Sequence, residues 1–238
     1  MMNNNATPAI RFKGFTEAWE QRKFGDVGRV SMCKRIFKEE TSDNGDIPFY
    51  KIGTFGSEPD AYISRELFEE YRDKFSYPND GDILLSASGT IGRIVEYKGE
   101  EAYFQDSNIV WLSHDNSISN KFLKVLYPTV SWAGIEGSTI KRLYNDNFLK
   151  TEFMMPTLSE QEKIGTLFEG IDNLITLHQC KYCYVSCIQK TADSVYVTTI
   201  LPMLGNSVSL ERLVPHILDY QVKVHLILDT VMPNSLHI

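Results

Sequence analysis

MMPTLSEQEKIGTLFEGIDNLITLHQ, Met154 to Gln179, is the stretch on which the fold turns. Pro156 ends a short apolar run, Phe153-Met154-Met155. Ser159 then stands where a helix N-cap belongs, and Glu162 follows three residues later. The pair makes a capping box, each side chain satisfying an otherwise orphan backbone N–H. Beyond it Ile164, Leu167, Phe168, Ile171, Leu174, Ile175 and His178 recur at helical spacing. That spacing puts a broad apolar stripe on one face of a helix of about six turns. Gly165 and Gly170 each weaken such a helix by about 1 kcal/mol relative to Ala, so packing must hold it. The pattern alone fits either a core helix of this chain or a helix that docks on another.

Working back towards the start, the chain reads as short strands and helices joined by polar turns. The Asn run at the beginning is expected to fray, and Phe12, Phe15 and Trp19 to pin an arm onto the domain. Phe24-Gly25-Asp26-Val27 looks like the turn into the first regular element. Asp43-Asn44-Gly45-Asp46 is a strong turn signal, followed by a strand over Ile47–Ile52, with Pro48 at its edge or beginning. Residues 62–77 predict a helix with Ser64 as cap, Leu67, Phe68, Tyr71 and Phe75 on its buried side, and Pro78 as its stop. Ile83–Ala87, Arg93–Tyr97, Ala102–Asp106 and Asn108–Leu112 predict strands. Ser119–Tyr127 predicts a short helix, with Phe122, Leu123, Leu126 and Tyr127 inward and Pro128 closing it. The fold class expected is therefore α+β: a mixed, largely antiparallel sheet with short helices, followed by a long amphipathic helix.

Four strings carry a resemblance. Pro156-x-Leu158-x-Glu160-Gln161-x-x-Ile164 resembles the start of the spacer helix in the DNA-specificity subunits of type I restriction–modification enzymes. Pro8-x-Ile10-Arg11-Phe12, with Gly14-Phe15 and Trp19, is similar to the opening of those subunits. GDILLSASGTIGR, Gly81 to Arg93, resembles the centre of their target recognition domain. A Gly-Ser-Thr segment, here Gly137-Ser138-Thr139, commonly precedes their final strand. The resemblance covers roughly Pro8 to Gln179 and fades in CKYCYVSCIQK and the Val-, Leu- and Ile-rich tail.

The resemblance implies a target recognition domain over residues 1–153, a spacer helix forming a coiled coil over 154–190, and an atypical tail, 191–238, of unassigned role. A second recognition domain and second spacer helix are missing, so the chain looks like half of a full-length subunit. It implies a non-catalytic, cytoplasmic chain that reads half of a bipartite target in double-stranded DNA. Docking of modification (methyltransferase) subunits would run through Ile164, Leu167, Phe168, Ile171, Leu174 and Ile175. A restriction subunit (translocase and nuclease) would join, and a homodimer through the spacer helix would read a palindromic split site. The chain would hold no cofactor; S-adenosylmethionine, ATP and Mg²⁺ would serve its partners.

For DNA contact, Lys34, Arg35 and Lys38 form the densest basic cluster of the first half, with no acidic neighbour in sequence before Glu39. They read either as a solvated face or as a phosphate-contacting loop. Arg93 follows the small polar turn Ser88-Gly89-Thr90-Ile91-Gly92, whose glycines either bring Ser88 and Thr90 close to a phosphate backbone or simply make a hairpin. Lys141 and Arg142 form a second basic pair, and Arg142 suits guanine readout because a planar fork matches the O6/N7 edge. Gln105 and Asn108 are further polar candidates.

Composition bounds the alternatives. The 238 residues are 42% hydrophobic and 23% charged, which predicts a folded core. A net charge of −7 argues against a generally basic nucleic-acid coat but leaves room for local basic loops. No apolar run reaches membrane-spanning length. Cys180, Cys183 and Cys187 share a helix face, with His178, His216 or His225 as a conceivable fourth metal ligand; the alternative is that they extend the apolar stripe. No nucleotide-hydrolase loop, methyltransferase motif or nucleophile elbow is present. A nuclease reading would use Asp82, Glu96 and Lys98 around Mg²⁺. An assembly-only protein, its pairing blocked by the apolar tail, is a further alternative.

Overall fold

A computed structural model describes residues 5, 6, 8, 11–135 and 141–190, the last fourteen (177–190) as backbone only. Gly137-Ser138-Thr139, the Cys180/Cys183/Cys187 thiols, His178, His216, His225 and the tail from Thr191 lie outside the described residues or side chains.

In chain order the elements are β1 (Asn5–Ala6), β2 (Trp19–Lys23), α1 (Phe24–Val27), β3 (Gly28–Ser31), β4 (Ile47–Tyr50), β5 (Tyr62–Ile63), α2 (Arg65–Lys74), β6 (Ile83–Ser86), β7 (Ile94–Glu96), β8 (Tyr103–Phe104), β9 (Ile109–His114), α3 (Asn120–Leu126), α4 (Asn145–Lys150), β10 (Glu152–Met155) and α5 (Leu158–Lys190). Among the described residues the expected α+β architecture is present, in three small sheets. Their strand orders are β1-β2-β10, β3-β9-β6-β7 and β5-β4-β8. Every pairing is antiparallel except β4 with β8.

The central sheet explains why two of its strands read as unbroken apolar runs. Side chains alternate faces along a strand, so a strand apolar at every position must be covered on both sides. Ile83 and Leu85 of β6 and Val110 and Leu112 of β9 enter one core, with Phe24, Phe122, Leu126, Phe148, Phe153 and Ile164. Leu84, Ile109 and Trp111 enter a second core on the other face, with Ile47, Phe49, Ile63, Phe68 and Tyr103. Short helices roof the first core; α2 and the β5-β4-β8 sheet supply the second.

Several boundaries differ from the sequence reading. The run Ala102–Leu112 is divided between two sheets: β8 pairs with β4, and β9 crosses into the central sheet. The polar turn Gln105–Asn108 makes the change, with Ser107 in the left-handed region at φ 52°. Asn5 and Ala6 are paired with Glu20 and Trp19 instead of fraying. Phe24–Val27 is a helical turn that follows a strand, not the turn into the first element. Ser64 caps α2 as expected, accepting from the Leu67 N–H at 3.3 Å. Phe75 is 43% exposed, because α2 has ended before it. The α5 helix starts two residues before the Ser159 box: the Thr157 carbonyl accepts the N–H groups of both Glu160 and Gln161, each at 2.9 Å. Thr157 thereby becomes the N-cap, and Ser159 lies inside the first turn.

The string that opens α5 is internal to this domain. Glu160 and Gln161 are fully buried, though both are polar. The Glu160 carboxylate accepts two hydrogen bonds from Arg11, each 2.7 Å, and one from the Trp19 indole at 3.2 Å. The contact holds the Arg11 guanidinium above its ordinary pKa, chiefly through the Glu160 hydrogen bond. Gln161 Oε1 accepts from the Ser119 N–H at 2.8 Å, and its Nε2 donates to the carbonyls of Pro156 and Ser117. One helix turn thus fastens the N-terminal arm and the start of α3. Gly165 sits where α3 crosses: a Cβ there would lie 2.4 Å from the Lys121 Cβ. The expected weakening by Gly165 is the condition for that close crossing.

Candidate nucleic-acid interface

Three loop segments of the domain meet at Ala87, which is buried at the end of β6. Its N–H donates to the Asn108 carbonyl at 2.7 Å, and its carbonyl accepts from the Leu143 N–H at 2.8 Å. Ser88 and Arg142 form an antiparallel bridge beside it, and Gly89 N–H donates to the Lys141 carbonyl. Residues distant in sequence, 86–89, 105–108 and 141–143, are therefore held by backbone bonds, which fix Cα positions far better than side-chain contacts do.

On this framework Arg142 Nη2 donates to Asn108 Oδ1 at 3.2 Å. Arg35 Nε donates to Asp106 Oδ2 at 2.9 Å, two residues along the same turn. Arg142 also lines an open hollow of about 620 Å³, together with Ser107, Tyr144, Asn145, Asp146 and Lys150. Among the described residues Lys141 and Arg142 have no carboxylate partner. A cationic fork on a rigid loop framework, at an open hollow lined by amides, hydroxyls, Lys150 and one carboxylate, Asp146, suits a polyanion with hydrogen-bonding edges.

The ten residues expected to touch DNA divide unevenly. Arg35, Asn108, Lys141 and Arg142 are brought together. Ser88 is buried, 5% exposed, and contributes backbone instead of the hydroxyl expected at the surface. Thr90 is exposed on the same loop, its carbonyl accepting from Ser86 Oγ. Arg93 Nη1 donates to the Phe55 carbonyl at 2.9 Å, which ties it to the second core's edge. Gln105 Oε1 is taken by the Ile52 N–H at 2.9 Å, a structural bond. Lys34 lies over the Phe75 ring, 5.1 Å from its centre. Lys38 is exposed at the start of a 3₁₀ turn and forms no ion pair among the described residues. The sequence view that the first basic cluster lacks an acidic partner is corrected for Arg35 by Asp106, which no local pattern announces.

The docking stripe divides too. Ile164 is buried in the first core and Phe168 packs against it. They serve this domain's own packing, because Gly165 lets α3 press onto that part of α5. Leu167 and Leu174 are exposed, and Ile171 and Ile175 half-buried. Only the later part of the stripe is left for a partner.

The nuclease trio is not assembled. Asp82 Oδ2 closes its own turn by accepting the Asn79 N–H, and Glu96 pairs with Lys124 at 2.8 Å. Strand β7 ends at Glu96, so Lys98 does not continue its face. Among the described residues no three His, Cys, Asp or Glu gather to hold a metal ion. Burial pushes the Cys33 thiol up to about 12, which removes it as a nucleophile. No helix among the described residues is long and apolar enough to cross a membrane.

Fold and site define a class: an α+β domain whose cationic, amide-rimmed face is built from loops, and whose core launches a long helix. The chain belongs to the type I restriction modification DNA specificity domain family, whose family model matches residues 16–182. It is 57% identical over 158 residues to S.HindORF215P of Haemophilus influenzae, named as a type I restriction enzyme specificity subunit; the match spans 65% of this chain and 41% of that one. The fold is similar to the crystal structure of a type I restriction–modification S subunit from M. genitalium, with TM-score 0.51 at 16% identity over 70% of this chain and 42% of that chain. It is also similar to a chain from a structural study of assembly and conformational transition in a type I R-M system, with TM-score 0.53 at 15% identity over 79% and 46%. The chain spans less than half the length of each relative.

Proposed function

We propose that residues 1–153 form a target recognition domain that reads one half of a split site in double-stranded DNA, and that residues 154–190 form the spacer helix on which modification subunits dock. The tail, 191–238, is left without a role. The observation that carries the reading is the Arg142–Asn108 face, where Lys141 and Arg142 stand on a segment tied through Ala87 to the Asn108 turn, and Arg35 reaches Asp106 on that same turn. Lys38, Lys141, Arg35 and Arg142 are the direct contacts in this reading, with Thr90 and Lys34 at the margin. Arg142 takes the base-reading role because its fork suits the guanine edge. The exposed Leu167 and Leu174, with Ile171 and Ile175, form the docking or pairing face, and pairing of two such chains yields a palindromic split target.

In this reading the chain itself does no chemistry and holds no cofactor. It directs adenine methylation by S-adenosylmethionine-dependent partners in the cytoplasm, and an ATP- and Mg²⁺-dependent restriction subunit acts on unmodified sites. The test is methylome sequencing of cells that carry this chain with its modification subunit. A new methylated adenine motif, split by a fixed gap, is expected; an active methyltransferase with soluble chain and no new motif would overturn the reading.

A further inference from the structure

The Asn108 backbone carbonyl is held by the Ala87 N–H, and its side-chain oxygen accepts from Arg142. We infer that Asn108 is a positioning residue, which aims the Arg142 guanidinium at the DNA and does not itself contact a base. The inference rests on the DNA-reading proposal above.

Arg142 would otherwise have somewhere else to go. Arg142 lines the 620 Å³ hollow, and so does the acidic residue Asp146. A guanidinium has five donors and a strong preference for a carboxylate fork. Asn108 offers a neutral acceptor at 3.2 Å, enough to set direction while leaving the remaining donors for a ligand. A carboxylate at position 108 would hold the fork as well, but it would add negative charge beside the phosphates. A neutral amide is the group that aims without repelling. The aim is rigid because Asn108 and Arg142 stand on segments bonded to one residue, Ala87 on its N–H side and its carbonyl side.

The test is a mutant cycle on the full chain assembled with its modification subunits. The probe is a pool of random-sequence duplex DNA, followed by duplexes that differ from the preferred sequence at single positions. Arg142→Ala and Asn108→Ala are expected to lose discrimination at the same single base pair, about tenfold in each case, within the range one bidentate arginine–guanine contact supplies. The double variant should lose no more than Arg142→Ala alone. The salt dependence of Asn108→Ala should match that of the wild type, since no phosphate contact is removed. Asn108→Asp should keep the discrimination while weakening binding to every sequence.

Uniform weakening by Asn108→Ala, relaxation at a different base pair, or additive losses in the double variant would overturn the inference and leave the DNA-reading proposal standing. Should Asn108→Ala fail to fold, Asn108→Asp decides: discrimination kept supports the aim, discrimination lost refutes it. Arg142→Ala with every base preference intact also refutes it. A wild-type assembly with no preferred sequence would overturn the DNA reading itself, and the inference with it.

Discussion

Removing the Glu160 carboxylate would strand the Arg11 guanidinium, whose side chain is 9% exposed against 1% for Glu160. Breaking one partner of a buried ion pair costs about 3–5 kcal/mol, because the remaining charge is left without compensation. Glu160→Ala is therefore expected to lower the unfolding free energy by that amount in urea denaturation, and Arg11→Ala by a similar one. A loss below about 1 kcal/mol would mean that the arm is not locked to the helix. These residues mark how far a sequence speaks at this scale. The Glu-Gln pair was legible as part of a helix start, but its burial was not. Nor was its partner: Arg11 lies 149 residues away, and no periodicity links the two. The same holds for Arg35 and Asp106, which are 71 residues apart.

The two glycines of α5 look alike in sequence and behave oppositely in the fold. A Cβ at Gly170 meets nothing within 4 Å, whereas at Gly165 it meets the Lys121 Cβ at 2.4 Å and its backbone carbon at 3.0 Å. Gly→Ala gains about 1 kcal/mol of helix propensity at either site. At Gly170 that gain stands alone, so Gly170→Ala should raise stability by up to about 1 kcal/mol. At Gly165 α3 must move away, and overpacking of this kind costs about 1–3 kcal/mol or more, which exceeds the gain. Thermal unfolding of the two variants should shift in opposite directions, and a shift of the same sign would refute the close helix crossing. The elements themselves were largely legible. Ser64 announced the start of α2, and the apolar runs of β6 and β9 announced strands. What escaped was that the strands read over Ala102–Asp106 and Asn108–Leu112 join different sheets, because strand partners are set by long-range pairing that no local pattern shows. The α5 start escaped by two residues, because Thr157–Glu160 and Ser159–Glu162 have the same spacing and Glu160 is drawn away by Arg11.

Over the whole molecule, the chain is acidic, −7, and yet its proposed DNA face is cationic. Such a distribution weakens sequence-independent attraction at a distance and leaves binding to a local patch. Two acidic groups stand at that patch: Asp146 lines the hollow with Arg142, and Asp106 is paired with Arg35. The Asp106 side chain is 17% exposed and holds Arg35, itself 60% exposed, at 2.9 Å. An ion pair this open contributes only about 0–1 kcal/mol to folding, so stability is a poor account of it. Its consequence is electrostatic: the carboxylate repels phosphate and occupies an arginine that would otherwise bind phosphate in any sequence. The individual residues of the face were legible from charge and turn chemistry, but their assembly around Ala87, and the presence of an acid among them, required the fold. Asp106→Asn removes one negative charge and frees one cation. Affinity for random-sequence duplex should rise, and the slope of log affinity against log salt should steepen by about 1, as one more phosphate contact forms. Discrimination between the preferred sequence and random DNA should fall, since only the sequence-independent term is strengthened. Fluorescence anisotropy at several salt concentrations measures all three. An unchanged slope and unchanged random-DNA affinity would place Arg35 off the DNA face and reduce the interface to Lys38, Lys141 and Arg142.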